Sequence, residues 1–379
     1  MHFELSDEQI ALQALAEKYA QNTLEALQQE DDNEGIFRRE IVEEMGDLGF
    51  WGSLTPEEYG GTNFGFFSTI LMIEKTAAIS PAYTGNFMTQ NGSSLPILKY
   101  GTDKQKQKYL PALATADILS CFAVTEPDAG TDIVSMKMIA RENGDSFIIN
   151  GTKNWITNAP VADIGLIFAF TDRSKKHKGI SCFIVELKNN EKIKTAAIDK
   201  LGLRCSKVGE LYFDNARIPK NALLGKKGQG YEILMYLLGN TRLFAAGRAL
   251  GLGQACLTQC IEYAKTREQF GQPIGKFQMI QEQIAEMYIM HEASRALVYQ
   301  AALNKDAGLD NIADVACAKY YACEAAVKAA DIAMKIFGAY SYSMEYPIQR
   351  LLRDSRAFVI TEGSSNIQKM IIARELLGL

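Results

Sequence analysis

The chain has 379 residues, with 40 Lys and Arg against 45 Asp and Glu, a net charge of −5. Apolar residues make up 47%, and a chain this long buries about three quarters of its unfolded surface without help from disulfides. The mild acidity argues against nucleic-acid binding, and three scattered histidines (His2, His177, His291) argue against a poly-His metal centre or a histidine triad.

The N-terminus carries Glu4, Asp7 and Glu8 where an export signal would place cations and then an apolar run. Ser6 with Gln9 forms a capping-box pattern, and Leu12, Leu15 and Tyr19 follow at helical spacing. Further helices are expected over 40–48, 68–78 and 105–114, with turn residues at 55–61. The uncharged stretch between Lys75 and Lys99 raises the question of a membrane span. Its Ser, Thr, Asn, Gln, Gly and Pro content makes a poor bilayer helix, so it reads as a buried, polar-lined segment.

From Leu119 the pattern changes to short β-rich runs at 121–124, 146–149, 164–171, 180–187 and 210–213. Asn143-Gly-Asp and Asn150-Gly are hairpin signals, and closely spaced strands point to an antiparallel barrel or sandwich. From Tyr231 the chain is helical again, broken at 271–275 and resumed by an Ala-rich run over 311–337. The expected class is α+β, in three parts: a helical domain over 1–118, a β domain over 119–230 and a helical bundle over 231–379. Seven cysteines without a C-x-x-C read as reduced thiols, consistent with a cytoplasmic protein.

Four constellations carry chemistry. Phe-Ala-Val-Thr-Glu-Pro-Asp-Ala-Gly-Thr-Asp (122–132) is a strand entering a turn whose N–H groups suit an anion or a ring edge, or a plain Asx turn. Trp155, after the Asn-Gly pair, either stacks on a flat group or fills the β core. Arg267 with Phe270 follows a helix end, as a phosphate or ring contact or as a solvated cap. Glu362 stands between an apolar run and Gly-Ser-Ser, where desolvation would make a usable base; the alternative is a carboxylate favoured by the last helix's dipole.

Together with Pro-Glu-Glu-Tyr-Gly-Gly (56–61) and Arg-Asp (353–354), these motifs resemble, in order and spacing, the acyl-CoA dehydrogenase flavoproteins. The resemblance implies FAD, a C-terminal four-helix bundle, usually a homotetramer, and electron-transferring flavoprotein as partner. Phe122, Thr125, Trp155 and Thr157 would contact the flavin, with Gly130 and Thr131 near its junction with substrate. Ser364 and Asn366 would hold its phosphates or ribose. Arg267, Phe270 and Gln278, with Lys335, Gly338 and Ala339, would reach the FAD of a neighbouring subunit. Glu362 falls on the catalytic base, and Arg242 and Gly363 on the substrate side.

The C-terminal half looks closest to the glutaryl and alicyclic-carboxyl branches. The stretch 83–91 contains no cation for a distal carboxylate, which argues against glutaryl-CoA; Thr89, Gln90 and Asn91 either line a pocket for a polar or cyclic acyl group or serve structural hydrogen bonding. The expected reaction is α,β-dehydrogenation of an acyl-CoA. The alternatives are an acyl-carrier-protein thioester, enoyl-thioester reduction, or non-catalytic flavin and acyl binding. No metal, nucleic acid or membrane span is expected.

Overall fold

Ser6 caps its helix through both bonds of the box: Gln9 N donates to Ser6 Oγ, and Ser6 N to Gln9 Oε1. In the computed structural model, which describes residues 4–188, 190–309 and 312–379, the first part is α1 (Asp7–Tyr19), α2 (Glu25–Glu34), α3 (Arg39–Asp47), α4 (Gly65–Ala77), α5 (Gly92–Tyr100) and α6 (Asp103–Thr115). His2 and Asn311, the latter the expected start of the Ala-rich helix, lie outside the described residues. A π-helical turn, Phe87–Asn91, leads into α5, so the uncharged stretch is a buried helical segment. Among the described residues no helix is long and apolar enough to cross a membrane.

The middle part has strands β1 (Ser120–Ala123), β2 (Ile139–Asn143), β3 (Ser146–Thr157), β4 (Ile164–Phe170), β5 (Ile180–Glu186), β6 (Ile193–Ala197), β7 (Val208–Pro219) and β8 (Leu223–Leu224). They form one eight-stranded sheet in the order β6-β7-β3-β2-β4-β5-β8, with β1 on β4. Two expectations are corrected here. The sheet is not wholly antiparallel, because β1 pairs β4 in parallel. Asn143-Gly turns the β2–β3 hairpin as predicted, but Asn150-Gly lies inside β3. There the register shifts between Ile149 and Gly151, and a Cβ on Gly151 would stand 2.9 Å from Met138 Cα. Close approach of neighbouring backbone, rather than a turn, accounts for that glycine.

Every residue of β4 is buried, as expected of a strand covered on both faces. Leu166, Phe168 and Phe170 pack toward Ile97, Leu110, Ile233 and Leu237 of the helices. Ile167 and Ala169 pack on the other face with Phe147, Phe183 and Phe213. This strand locks the sheet to α5 and to α7 (Gly230–Thr266).

The last part continues through the short hairpin β9 (Glu268–Gln269) and β10 (Gln272–Pro273) to α8 (Gln278–Asp306), α9 (Ile312–Phe337), α10 (Ile348–Phe358) and α11 (Ser365–Leu377). Small residues of α9 (Ala318, Ala322, Ala326, Ala330) let α7 and α8 approach closely. The same core takes in Phe50, Trp51 and Phe87, so the two helical parts bury their apolar faces against each other.

Candidate active site

The turn between α10 and α11 presents Glu362. Its backbone is left-handed, φ 56°, an unfavourable conformation for a residue with a Cβ. Three side chains hold it there. Arg242 Nε donates to Glu362 O at 3.3 Å, Gln368 Nε2 to the same oxygen at 3.1 Å and to Gly363 O at 2.9 Å, and Lys319 Nζ to Gly363 O at 2.7 Å. Such over-determined strain is the kind that functional sites retain. The Glu362 carboxylate accepts a hydrogen bond from Thr241 Oγ1. Burial pushes its pKa up; the Thr241 hydrogen bond and the cations Arg242, Lys319 and Arg248 oppose that without cancelling it. Among the described residues no acceptor takes the Glu362 N–H. The turn therefore offers a desolvated base and an unused donor side by side.

Gly92 ties this turn to the sheet. A Cβ there would meet Thr241 Cγ2 at 3.1 Å and Phe122 Cε1 at 3.2 Å. Behind Phe122, Asn154 N donates to Thr125 O at 2.8 Å, and β3 bulges so that Trp155, at φ 60°, stands 59% exposed. The support beneath is ionic. Lys153 Nζ, fully buried, bonds Glu126 Oε1 and Val124 O, both at 2.8 Å, and Glu126 also receives Met138 N at 3.0 Å. Burial lowers Lys153 to about 8 despite Glu126 beside it.

Sequence reasoning assigned no role to Lys153, Lys319, Thr241 or Gln368. Nothing local marked Lys319, because α9 also carries Lys328 and Lys335; only burial among the alanines sets it apart.

The residues predicted for a cofactor fall into three places. Phe122 lies on β1, Thr125 just past its end, and Trp155 and Thr157 on β3, while Gly130 and Thr131 lie exposed on the turn that follows β1. Ser364 and Asn366 start α11, next to Glu362. Ser364 makes no side-chain cap, the first turn holds no acidic residue, and Ser365 Oγ is buried without a partner. These features suit an anion at a helix N-terminus. Arg267, Phe270, Gln278, Lys335, Gly338 and Ala339 gather separately, at the far end of the bundle. Arg267 lies over the Tyr340 ring at 5.2 Å, Lys335 pairs with Asp331 at 2.7 Å, and Phe270 is 93% exposed at φ 52°. An exposed aromatic platform, an orphaned hydroxyl at a helix start and an uncovered phenylalanine fit a long, flat, phosphate-bearing cofactor such as FAD.

For Thr89 and Gln90 the geometry favours the hydrogen-bonding role. Gln90 Nε2 donates to Leu113 O and Ile118 O, and its Oε1 accepts from Ser120 N and Oγ. Thr89 Oγ1 accepts from Asn158 Nδ2 at 3.0 Å. Gln90 thus tethers the π-helical turn to Ser120 of β1, and Thr89 tethers it to Asn158 just past the end of β3. Asn91 differs: both atoms of its amide are buried without a partner.

A helical–β–helical scaffold with a desolvated carboxylate beside a cofactor platform defines a flavoenzyme of the acyl-thioester-oxidising class. Models of the acyl-CoA dehydrogenase N-terminal, middle and C-terminal domains match residues 6–117, 121–216 and 228–377. The chain belongs to the acyl-CoA dehydrogenase family, FAD-dependent oxidoreductases that act on acyl-CoA thioesters. It is 44% identical to the glutaryl-CoA dehydrogenase of Desulfococcus multivorans, covering 100% of this chain and 99% of that one. Its fold superposes on a glutaryl-CoA dehydrogenase in complex with glutaryl-CoA with a TM-score of 0.98, at 44% identity over 100% of this chain and 97% of the other. Butyryl-CoA dehydrogenase of Megasphaera elsdenii is similar at 37% identity and TM-score 0.97, with 100% of both chains covered.

Proposed function

We propose that Glu362 removes the α-proton of an acyl-CoA bound between α7, the π-helical turn and the sheet. The observation that carries this reading is the Glu362 turn itself: a carboxylate pushed up in pKa by burial, beside an N–H that no protein acceptor takes among the described residues. A base of raised pKa competes for a weakly acidic C–H, and the adjacent N–H can polarise the thioester carbonyl as charge builds on its oxygen. FAD, when bound, supplies the redox step by taking the β-hydrogen as hydride.

Phe122, Thr125, Trp155 and Thr157 are read as holding the flavin ring, and Ser364 and Asn366 as holding the FAD phosphates or ribose. Thr241 keeps the carboxylate oriented, and Arg242 holds the turn. The reading extends to a cytoplasmic homotetramer in which Arg267, Phe270 and Gln278 of one subunit reach the FAD of the next, re-oxidised by electron-transferring flavoprotein. Phe270, exposed at the tip of its hairpin, supports that extension.

Anaerobic addition of short, dicarboxylic and alicyclic acyl-CoAs to the FAD-loaded protein tests the assignment. Bleaching of the oxidised-flavin band is expected with wild type and is expected to be lost in Glu362→Gln with FAD retained. Full turnover by that variant would remove Glu362 from the role of base.

A further inference from the structure

Of the lysines on α9, Lys328 and Lys335 stand in solvent and pair with carboxylates, Glu286 at 2.5 Å and Asp331 at 2.7 Å. Lys319 differs. It is fully buried, and no carboxylate among the described residues forms an ion pair with it. Its Nζ donates to Gly363 O at 2.7 Å, the carbonyl of the residue after the base. A buried ammonium met by one neutral oxygen is poorly compensated.

The turn does not need a cation to hold it. Gly363 O also accepts from Gln368 Nε2 at 2.9 Å, and Glu362 O from Gln368 Nε2 at 3.1 Å and Arg242 Nε at 3.3 Å. A neutral amide thus already grips both carbonyls. What Lys319 adds is charge. Burial raises the Glu362 pKa and Lys319 pulls it back; burial lowers Lys319 and Glu362 pulls it up.

The other charges at the site are placed differently. From α7 come Arg242 and Arg248, from α9 Cys323 and Glu324 beside Lys319, from α10 Asp354, which attracts Arg248, and from α11 the neutral Gln368. Arg248 is engaged by Pro81 O at 2.6 Å and Thr84 Oγ1 at 3.3 Å. Lys319 approaches from the helix opposite Thr241, with its hydrogen bond ending on the catalytic turn.

Resting on the dehydrogenase reading above, we infer that Lys319 is a positioning residue for the base: its buried ammonium is the fixed counter-charge that keeps the Glu362 carboxylate ionised in a site shielded from water. When Glu362 takes the α-proton, Lys319 loses that counter-charge. The protonated base is thereby disfavoured, and the proton is released before the next turnover.

The competing role is a staple for the turn, and two variants separate it from charge. Lys319→Gln keeps a donor for Gly363 O and removes the cation; Lys319→Arg keeps the cation. Infrared difference spectra of the FAD-loaded protein against Glu362→Gln follow the Glu362 carboxyl band through a pH titration without turnover. In Lys319→Gln the carboxyl is expected to protonate about one pH unit higher than in wild type. In Lys319→Arg it is expected to stay with wild type. The acid limb of flavin reduction by an acyl-CoA is expected to move up with the carboxyl, and the plateau at high pH to be retained.

FAD content and thermal melting report whether each variant folds; if Lys319→Gln does not, Lys319→Met carries the same comparison. Equal titration in wild type and the uncharged variant overturns the inference. So does a wild-type carboxyl already protonated at neutral pH, or an equal loss of flavin reduction at every pH, the mark of a staple. If no acyl-CoA bleaches the flavin, the dehydrogenase reading fails on its own, and the infrared titration still decides Lys319.

Discussion

Glu362 and Phe270 share a backbone conformation that residues with a Cβ avoid, φ 56° and 52°, and differ in everything that surrounds them. The Glu362 turn is pinned by Arg242, Gln368 and Lys319, with its carboxylate held by Thr241. The Phe270 ring is 93% exposed, edge-on to Phe277 with centroids 6.0 Å apart. The first is strain that the chain's own contacts maintain. The second is an aromatic group that its own chain leaves uncovered. On the proposed reading, proton chemistry is assembled within one subunit, whereas the far end of the bundle meets a neighbouring one.

The most severe way to break this comparison is Glu362→Gln. It is expected to slow flavin reduction by about 10^4-fold while FAD content stays at the wild-type level, measured by stopped-flow bleaching and absorbance. Next is Lys153→Met, which strips the support beneath Trp155 of its cation and leaves Glu126 buried. A loss of about 3 kcal/mol in unfolding free energy is expected in denaturant titration.

At the exposed end, Phe270→Ala is expected to leave subunit folding intact and to loosen FAD by about tenfold. Equilibrium dialysis alongside sedimentation would read both. A variant that retained FAD fully would leave that tip without a cofactor role.

The mildest change sharpens the Glu362 side. Glu362 must be ionised to act, so kcat/KM is expected to rise with pH through its raised pKa. Thr241→Val removes a hydrogen bond that favours the ionised form, so the acid limb of the profile is expected to move to higher pH. A limb that stayed in place or moved down would mean that Thr241 does not set the base.

Much of the architecture was legible in the chain. The capping box at Ser6, the hairpin at Asn143-Gly, the continuous apolar run of β4 and the order of helical and β segments are local patterns, because backbone propensity and side-chain period act over a few neighbours. The motif around Glu362 was legible for the same reason, since a left-handed turn before a helix start draws on residues adjacent in sequence.

Tertiary structure alone decided which polar groups face one another. It turned Gln90 from a pocket residue into a tether, kept Asn150-Gly inside a strand by pressing it on Met138, and brought Lys319 and Gln368 to the turn that holds the base. It also carried the Arg248 guanidinium to a segment more than 150 residues away in the chain. Such meetings depend on helix packing and side-chain reach, which no local spacing records.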